Sequence, residues 1–194
     1  MKKRVVRRRT PAEGAFSLVE LLVALAVALT VAAGVIQGLA GASRSGERLV
    51  LLLRERQVAR RTLALLRSEL MVSQSWQVGP GAGVGAECTL GGRAPVLQLE
   101  TNGRRITYSM GIPPSQIWRG WVLMRCGPAY GLSGELSDGT AQNRVLIDAL
   151  APEGFQVNAD ALGVLHLRLD QAFRPRGGSP VVINTSTLVG THGF

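Results

Sequence analysis

The segment FSLVELLVALAVALTVAAGVIQGLAGAS, residues 16–43, decides the architecture of this protein because it carries a single charge, Glu20. Alanine and leucine dominate the segment and proline is absent, so its composition strongly favours an α-helix. About 20 apolar residues, each rising about 1.5 Å, are enough to cross a bilayer core of about 30 Å. The sequence therefore predicts a helix that can span a membrane.

More than half of the net positive charge of the chain lies in front of this segment. The 194 residues have a formal net charge of +9, and residues 1–15 alone contain six lysines or arginines and one glutamate. Positive residues beside a membrane span stay in the cytoplasm, so we expect the C-terminal part to be exported. The placement indicates membrane topology rather than a basic face that binds nucleic acid.

Two simple interpretations of the N-terminal segment leave one residue unexplained. The first is a secretory signal with residues 1–42 removed, since Ala40-Gly41-Ala42 has the small-residue pattern of a cleavage site. The second is a plain single-pass anchor. Neither needs Glu20, and an acid inside a membrane helix costs about 3 kcal/mol, so such a residue is a functional candidate.

The residues around Glu20 supply a third interpretation. The string GAFSLVELL, residues 14–22, resembles the cleavage and methylation motif of type IV prepilins and type II secretion pseudopilins. The resemblance implies that a prepilin peptidase cuts between Ala15 and Phe16, with Ala15 standing where the family usually has Gly. It also implies that the new amine of Phe16 is methylated and that Glu20 becomes the fifth mature residue.

The same resemblance implies a role for Glu20 in filament assembly. Its carboxylate would pair with the N-terminal amine of a neighbouring subunit and set the axial register, since two opposite charges are less costly to bury together than singly. The implied partners are a prepilin peptidase, other major and minor pilins or pseudopilins, an inner-membrane assembly platform and membrane lipid. The implied location is a single pass of the inner (cytoplasmic) membrane with the head on the periplasmic or extracellular side, and then the filament.

Composition separates a membrane helix at 16–43, an amphipathic continuation of the helix at 44–78 and a β-rich head at 79–194. The resemblance implies that residues 1–15 are a leader and that the helix at 16–43 also forms the filament core. Within the continuation, Glu55 is assigned to the faces that do not contact the head. The apolar residues recur every three or four positions and are expected to form the contact face. They are Leu49, Leu52, Leu53, Ala59, Leu63, Leu66 and Leu70.

Alternating apolar and polar residues predict antiparallel strands in the head. Asn102-Gly103, between runs at 96–100 and 106–110, is a strong hairpin signal because both turn positions need a positive φ. The same pattern predicts strands at 116–126, 144–150, 154–157, 164–170 and 180–189. The Gly-rich residues 79–92 predict a surface loop, since they lack the Gly-Lys-Ser/Thr of a phosphate loop. The expected fold is α+β and, by the resemblance, type IV pilin-like, with a long N-terminal helix, membrane-spanning in its first half, packed on an antiparallel sheet.

The head carries a second, more diffuse resemblance. Residues 106–109 (ITYS), 116–119 (QIWR) and 145–150 (VLIDAL), followed by Phe155, are similar to the larger minor pilins, namely the PilW-type minor pilin and the J-type pseudopilin of type II secretion. This similarity implies a minor subunit in a tip or initiation complex.

The remaining chemistry-bearing residues favour a structural role over an enzymatic one. Cys88 and Cys126 both lie in the exported part, where two thiols are expected to pair as a disulfide. No Ser/His/Asp triad is suggested by the sequence, and no cofactor site is expected. Calcium is conceivable near Asp148, Glu153 and Asp160, but no metal site is expected because the spacing of these acids matches no calcium loop. Nucleic acid is not an expected partner. The alternative function is a secreted soluble binding protein or enzyme whose residues 1–42 are a cleaved signal.

Overall fold

A computed structural model of the protein describes residues 17–81, 87–174 and 179–190. In this part of the chain one helix, α1 (Leu18–Val72), is followed by seven β-strands. The chain divides into two units, Met1–Leu49 and Val50–Phe194, so α1 begins in the first and ends in the second. The fold is α+β, as the sequence predicts.

The strands form one curled antiparallel sheet in which each strand pairs with its neighbours in the sequence. Antiparallel neighbours need only a tight turn, and two connections are that short: Asn102-Gly103 between β2 and β3, and residues 160–163 between β5 and β6. The bounds are β1 (Ser75–Val78), β2 (Ala94–Thr101), β3 (Arg104–Gly111), β4 (Trp121–Gly127), β5 (Gln142–Ala159), β6 (Val164–Phe173) and β7 (Val181–Gly190).

The predicted hairpin and the predicted alternation are both confirmed. Strands β2 and β3 are joined through Asn102 and Gly103, whose φ angles of 50° and 70° are both positive. In β6, three leucines are fully buried and the polar residues between them, His166 and Arg168, are exposed. These leucines are Leu165, Leu167 and Leu169.

The predicted continuation of the helix to residue 78 is too long, because α1 ends at Val72 and Ser75–Val78 forms β1. Two strand predictions also need correction. The strand predicted at 116–126 begins only at Trp121, because residues 116–120 form a turn in which Gly120 has a φ of 58°. The strands predicted at 144–150 and 154–157 are one strand, β5, whose pairing with β6 shifts register between Leu150 and Phe155. A proline inside a strand is tolerated at such an irregularity, so Pro152 breaks the register without ending the strand.

The core of the second unit lies between the sheet and one face of α1. Leu63, Leu66 and Leu70 are at most 3% exposed and pack with Tyr108 and other residues of the strands. The predicted contact face is correct in this half of the segment. Leu52 packs against the core as predicted, but Leu53 is 56% exposed, because the face that meets the sheet passes through Leu51, Leu52 and Glu55. Leu49 belongs to the first unit and is 57% exposed.

Candidate functional site

The first feature with functional meaning is the exposed apolar part of α1. Leu18–Leu39 forms 22 helical residues with a mean hydropathy of 2.5, and none of this stretch is buried inside the protein. By length and composition it is the one described helix that could cross a membrane. Exposing this much apolar surface to water is unfavourable, so the stretch requires a lipid or protein environment.

Glu20 lies in the first turn of α1, and its side chain is exposed. The first intrahelical hydrogen bond is donated by the amide of Leu21 to the carbonyl of Ser17, at 3.1 Å. A carboxylate at this place is favoured by the helix dipole. Among the described residues, no cation forms an ion pair with Glu20. The carboxylate is therefore available to a group outside that part of the chain.

The predicted cleavage position lies outside the described residues. Ala15 and Phe16, which the resemblance assigns to peptidase cleavage and methylation, precede the first described residue, Ser17. The structure thus describes Glu20 among the three motif residues and does not bear on the bond that would be cut.

Cys88 and Cys126 form a disulfide, with their Cα atoms 5.8 Å apart. The bond joins the loop after β1 to strand β4 across 38 positions of sequence. The disulfide closes a long loop of the chain. Such a closure lowers the conformational entropy of the unfolded chain and so stabilises the folded state. The disulfide expected from the two cysteines is present.

A buried carboxylate fixes the C-terminal end of α1 to the sheet. Glu69 is fully buried, and its Oε1 accepts hydrogen bonds from Nε of Arg125 at 2.8 Å and from the hydroxyl of Tyr130 at 2.6 Å. Its Oε2 accepts a hydrogen bond from the hydroxyl of Tyr108. Arg125 also donates to the carbonyl of Pro128, at 2.9 Å. Four different segments of the second unit therefore meet at one carboxylate.

The ionisation of this cluster follows from burial and from Glu69. Burial raises the pKa of Tyr108 well above its ordinary value, and the negative charge of Glu69 raises it further. Burial and the hydrogen bond to Glu69 likewise raise the pKa of Tyr130. Burial alone would lower the pKa of Arg125, but Glu69 outweighs it and the pKa is raised. Both tyrosines therefore stay protonated and Arg125 stays charged at neutral pH.

A second buried carboxylate lies on the same face of the helix, 14 residues or about four turns earlier. Oε1 of Glu55 accepts a hydrogen bond from Nη2 of Arg119 at 2.8 Å, and its Oε2 accepts one from the side-chain Nε2 of Gln171 at 3.2 Å. Arg119 also makes two side-chain hydrogen bonds to Asp148, at 3.0 and 3.2 Å. The hydrogen bond to Asp148, and then that to Glu55, raises the pKa of Arg119 against the effect of burial.

Sequence patterns did not predict these two anchors. Glu55 was expected on a face away from the head, although this residue is only 5% exposed, and no role was predicted for Glu69. The signal was present, because the two acids fall on the stripe that also contains Ala59, Leu63 and Leu66. An acid on such a stripe is stable only with a buried partner, which periodicity alone does not reveal.

Two of the acids considered above, Asp148 and Asp160, have structural roles. Asp148 binds Arg119, and Oδ1 of Asp160 accepts hydrogen bonds from the amides of Leu162 and Val164, both at 2.8 Å. Among the described residues, no group of three or more His, Cys, Asp or Glu side chains could hold a metal ion. An open cleft of about 560 Å³ beside Tyr130 has Glu135 in its lining.

Comparisons of the chain with known protein families, with curated proteins and with solved structures found no match. The function is therefore inferred from the residues and geometry of this chain itself.

Proposed function

We propose that this protein is a minor pilin or pseudopilin, a structural subunit of a type IV pilus or a type II secretion pseudopilus. In this proposal a prepilin peptidase removes residues 1–15, and Phe16 becomes the methylated N-terminus. The mature chain waits in the inner membrane with its head on the exported side. An assembly platform then extracts it into a filament, where it belongs to the tip or initiation complex beside other pilins.

One observation carries the proposal. The exposed apolar stretch Leu18–Leu39 is long enough to cross a membrane and contains a single acid, Glu20. This acid lies in the first turn of α1 and within the motif at residues 14–22. A free carboxylate at this point costs about 3 kcal/mol in a bilayer. The ammonium of a neighbouring Phe16 would offset this cost once both charges are buried together.

The two buried anchors support a mechanical role for α1. Glu55 and Glu69 hold the helix to the sheet through Arg119 and Arg125, at donor–acceptor distances of 2.8 Å. Both side chains of the Glu69–Arg125 pair are buried, and removing one partner of such a pair typically costs about 3–5 kcal/mol, so this end of the helix is difficult to detach from the head. The Arg119 side chain is 48% exposed, so its pair with Glu55 contributes less. A subunit that is moved by its helix needs this coupling, because force applied to the helix must reach the head.

Processing by the peptidase is the most direct test. The full chain is co-expressed with a prepilin peptidase, and the mature N-terminus is sequenced. We expect Phe16 to be the first residue and its amine to be methylated. A mature start near Ser43 would instead indicate a secretory signal and a soluble binding protein or enzyme, and an intact Met1 would indicate a plain anchor.

A matched pair of variants tests the role of the acid. We expect Glu20→Ala to be processed normally but to be lost from purified filaments, because the partner of the Phe16 amine is gone. The control is Thr30→Ala, whose hydroxyl only donates to the carbonyl of Val27 on the same exposed helix. Equal incorporation of both variants would contradict the proposed pairing.

A further inference from the structure

The outward face of α1 in the second unit has a regular pattern that the fold does not use. Val50, Gln57, Ala64 and Met71 recur every seven residues, and Leu53 lies between the first two. All five side chains are exposed, with Val50, Leu53 and Met71 at 66%, 56% and 57%. We name these five residues the outer ridge. A seven-residue recurrence is the spacing with which one helix packs along another.

Arginines border the outer ridge on both sides. At about 100° per residue, two arginines fall on one side and three on the other. All are exposed, and none makes a hydrogen bond or ion pair within residues 17–81, 87–174 and 179–190. The five, named here the arginine rows, are Arg54 and Arg61 on one side and Arg56, Arg60 and Arg67 on the other.

The fold itself removes the negative charge from this face. Between residues 50 and 72 the helix has only two acids, Glu55 and Glu69. Both are buried against the sheet, where Arg119 and Arg125 bind them. The only charged side chains left on the outer face between residues 50 and 72 are therefore positive, and they flank a narrow apolar ridge.

We propose that the outer ridge docks a helix of a different subunit, and that this partner helix carries acidic residues opposite the arginine rows. The inference rests on the proposed function, in which the neighbours are other pilin-type subunits. Charged residues beside a helix–helix seam decide which partners are accepted. A second copy of this chain would bring arginine against arginine, and like charges in such a contact are unfavourable.

The apolar ridge distinguishes this partner from other polyanions. A nucleic acid would use the arginines for phosphate contacts but would leave Val50, Leu53 and Met71 uncovered. A helix lying on a membrane surface presents a broad apolar face. The outer ridge is about one residue wide and includes the polar Gln57, so it fits the narrow seam between two helices better.

The test uses two forms of the full chain in mild detergent. Both carry Gln57→Cys, which adds one thiol to a chain whose own cysteines, Cys88 and Cys126, are bonded to each other. The native-face form keeps the arginine rows. In the acid-face form all five arginines of the rows are changed to Glu. This form serves as the probe, because its helix has the same outer ridge with acidic residues on both sides. Mild oxidation traps pairs that meet at residue 57.

We expect the mixture of native-face and acid-face chains to give about tenfold more disulfide dimer than native-face chains alone, and the excess to fall at high salt. A form with the five arginines changed to Gln, mixed with native-face chains, should give a dimer yield between that of native-face chains alone and that of the native-face and acid-face mixture. Leu53→Ser with Met71→Ser in the native-face form should lower the mixed yield without changing charge. Equal yields from mixed and native-face samples would overturn the proposal.

Two controls separate the face from net charge and from misfolding. Changing Arg105, Arg144 and Arg174, which are exposed elsewhere in the second unit, to Glu should not produce the mixed-pair excess. Circular dichroism and retention of the Cys88–Cys126 bond report on folding of the acid-face form, and the Gln form provides the comparison if that form is unstable.

A further measurement distinguishes the competing ligand. A fluorescent 20-base-pair DNA duplex is titrated with the native-face form at about 0.15 M salt. Suppose that the native-face form binds the duplex, that the Arg-to-Gln form does not, and that the mixed sample shows no excess of disulfide dimer. This result would assign the face to nucleic acid and overturn the proposal. Processing at Phe16 is measured separately. A chain that is processed there but shows no charge-selective pairing would keep the proposed function and lose only this inference.

Discussion

Nε of Arg125 lies 2.8 Å from Oε1 of Glu69, and the two side chains are 6% and 0% exposed. Glu69 belongs to the last turn of α1 and Arg125 to the middle of the sheet, so this ion pair joins the two layers of the second unit. Desolvating both charges is costly. The cost is offset because the tyrosines at 108 and 130 complete the hydrogen bonds of the carboxylate.

The first prediction concerns that ion pair. We expect Glu69→Ala to lower the free energy of unfolding by about 3–5 kcal/mol, since Arg125 is left charged and buried without a partner. Urea unfolding of the full chain in mild detergent measures the change. Arg67→Ala, on the exposed side of the same helix, should cost about 0.5 kcal/mol or less. A similar loss in both variants would contradict this assignment of the loss to the ion pair, because alanine is a better helix former than either residue it replaces.

The second prediction concerns high pH. The folded pKa of Tyr108 and of Tyr130 is raised above the unfolded value of about 10. Above pH 10 the unfolded chain therefore releases protons that the folded chain retains, so stability is full below pH 10 and falls as the pH rises further. The limiting slope is about 1.4 kcal/mol per pH unit for each tyrosine.

Denaturation midpoints between pH 9 and 11.5 measure this effect. Tyr130→Phe should reduce the slope of unfolding free energy against pH by about 1.4 kcal/mol per pH unit, the contribution of one tyrosine. Phenylalanine has no proton to release, so residue 130 no longer contributes to the pH dependence. A stability that is flat across this range in the native chain would contradict the account of the cluster.

The third prediction concerns the disulfide. Loop-closure entropy for a separation of 38 residues corresponds to about 4 kcal/mol. We expect the Cys88→Ala, Cys126→Ala double variant to lose about 2–4 kcal/mol of unfolding free energy in the same urea assay. Reduction of the native chain should give a similar loss, and reduction of the double variant should change nothing.

The fourth prediction concerns a close backbone contact in β5. A Cβ at Gly154 would lie 2.5 Å from the carbonyl oxygen of Asp170 and 2.7 Å from that of Ala151. Since backbone atoms cannot move aside cheaply, we expect Gly154→Ala to cost about 2 kcal/mol or more. Gly190→Ala, in β7, meets nothing within 4 Å and should be close to neutral. Thermal unfolding of the two variants measures the difference.

Local sequence patterns predicted those parts of the fold that depend on neighbouring residues. The β2–β3 hairpin followed from Asn102-Gly103, whose backbone preference is intrinsic to the two residues. The alternation in β6 followed from its leucines. The division of β5 was predicted wrongly, because Pro152 reads as the end of a strand and only the pairing of β5 with β6 carries the strand past it.

The sequence by itself determined an apolar helix with one acid, its basic flank and an alternating β-rich head, because composition and periodicity act over a few residues and need no distant partner. Only the tertiary structure decided that Glu55 and Glu69 turn inward. A buried acid is stable only where a cation from a distant part of the chain reaches it, and Arg119 and Arg125 lie 64 and 56 positions away. The same distant pairing leaves the arginines of the outer helix face without acids beside them.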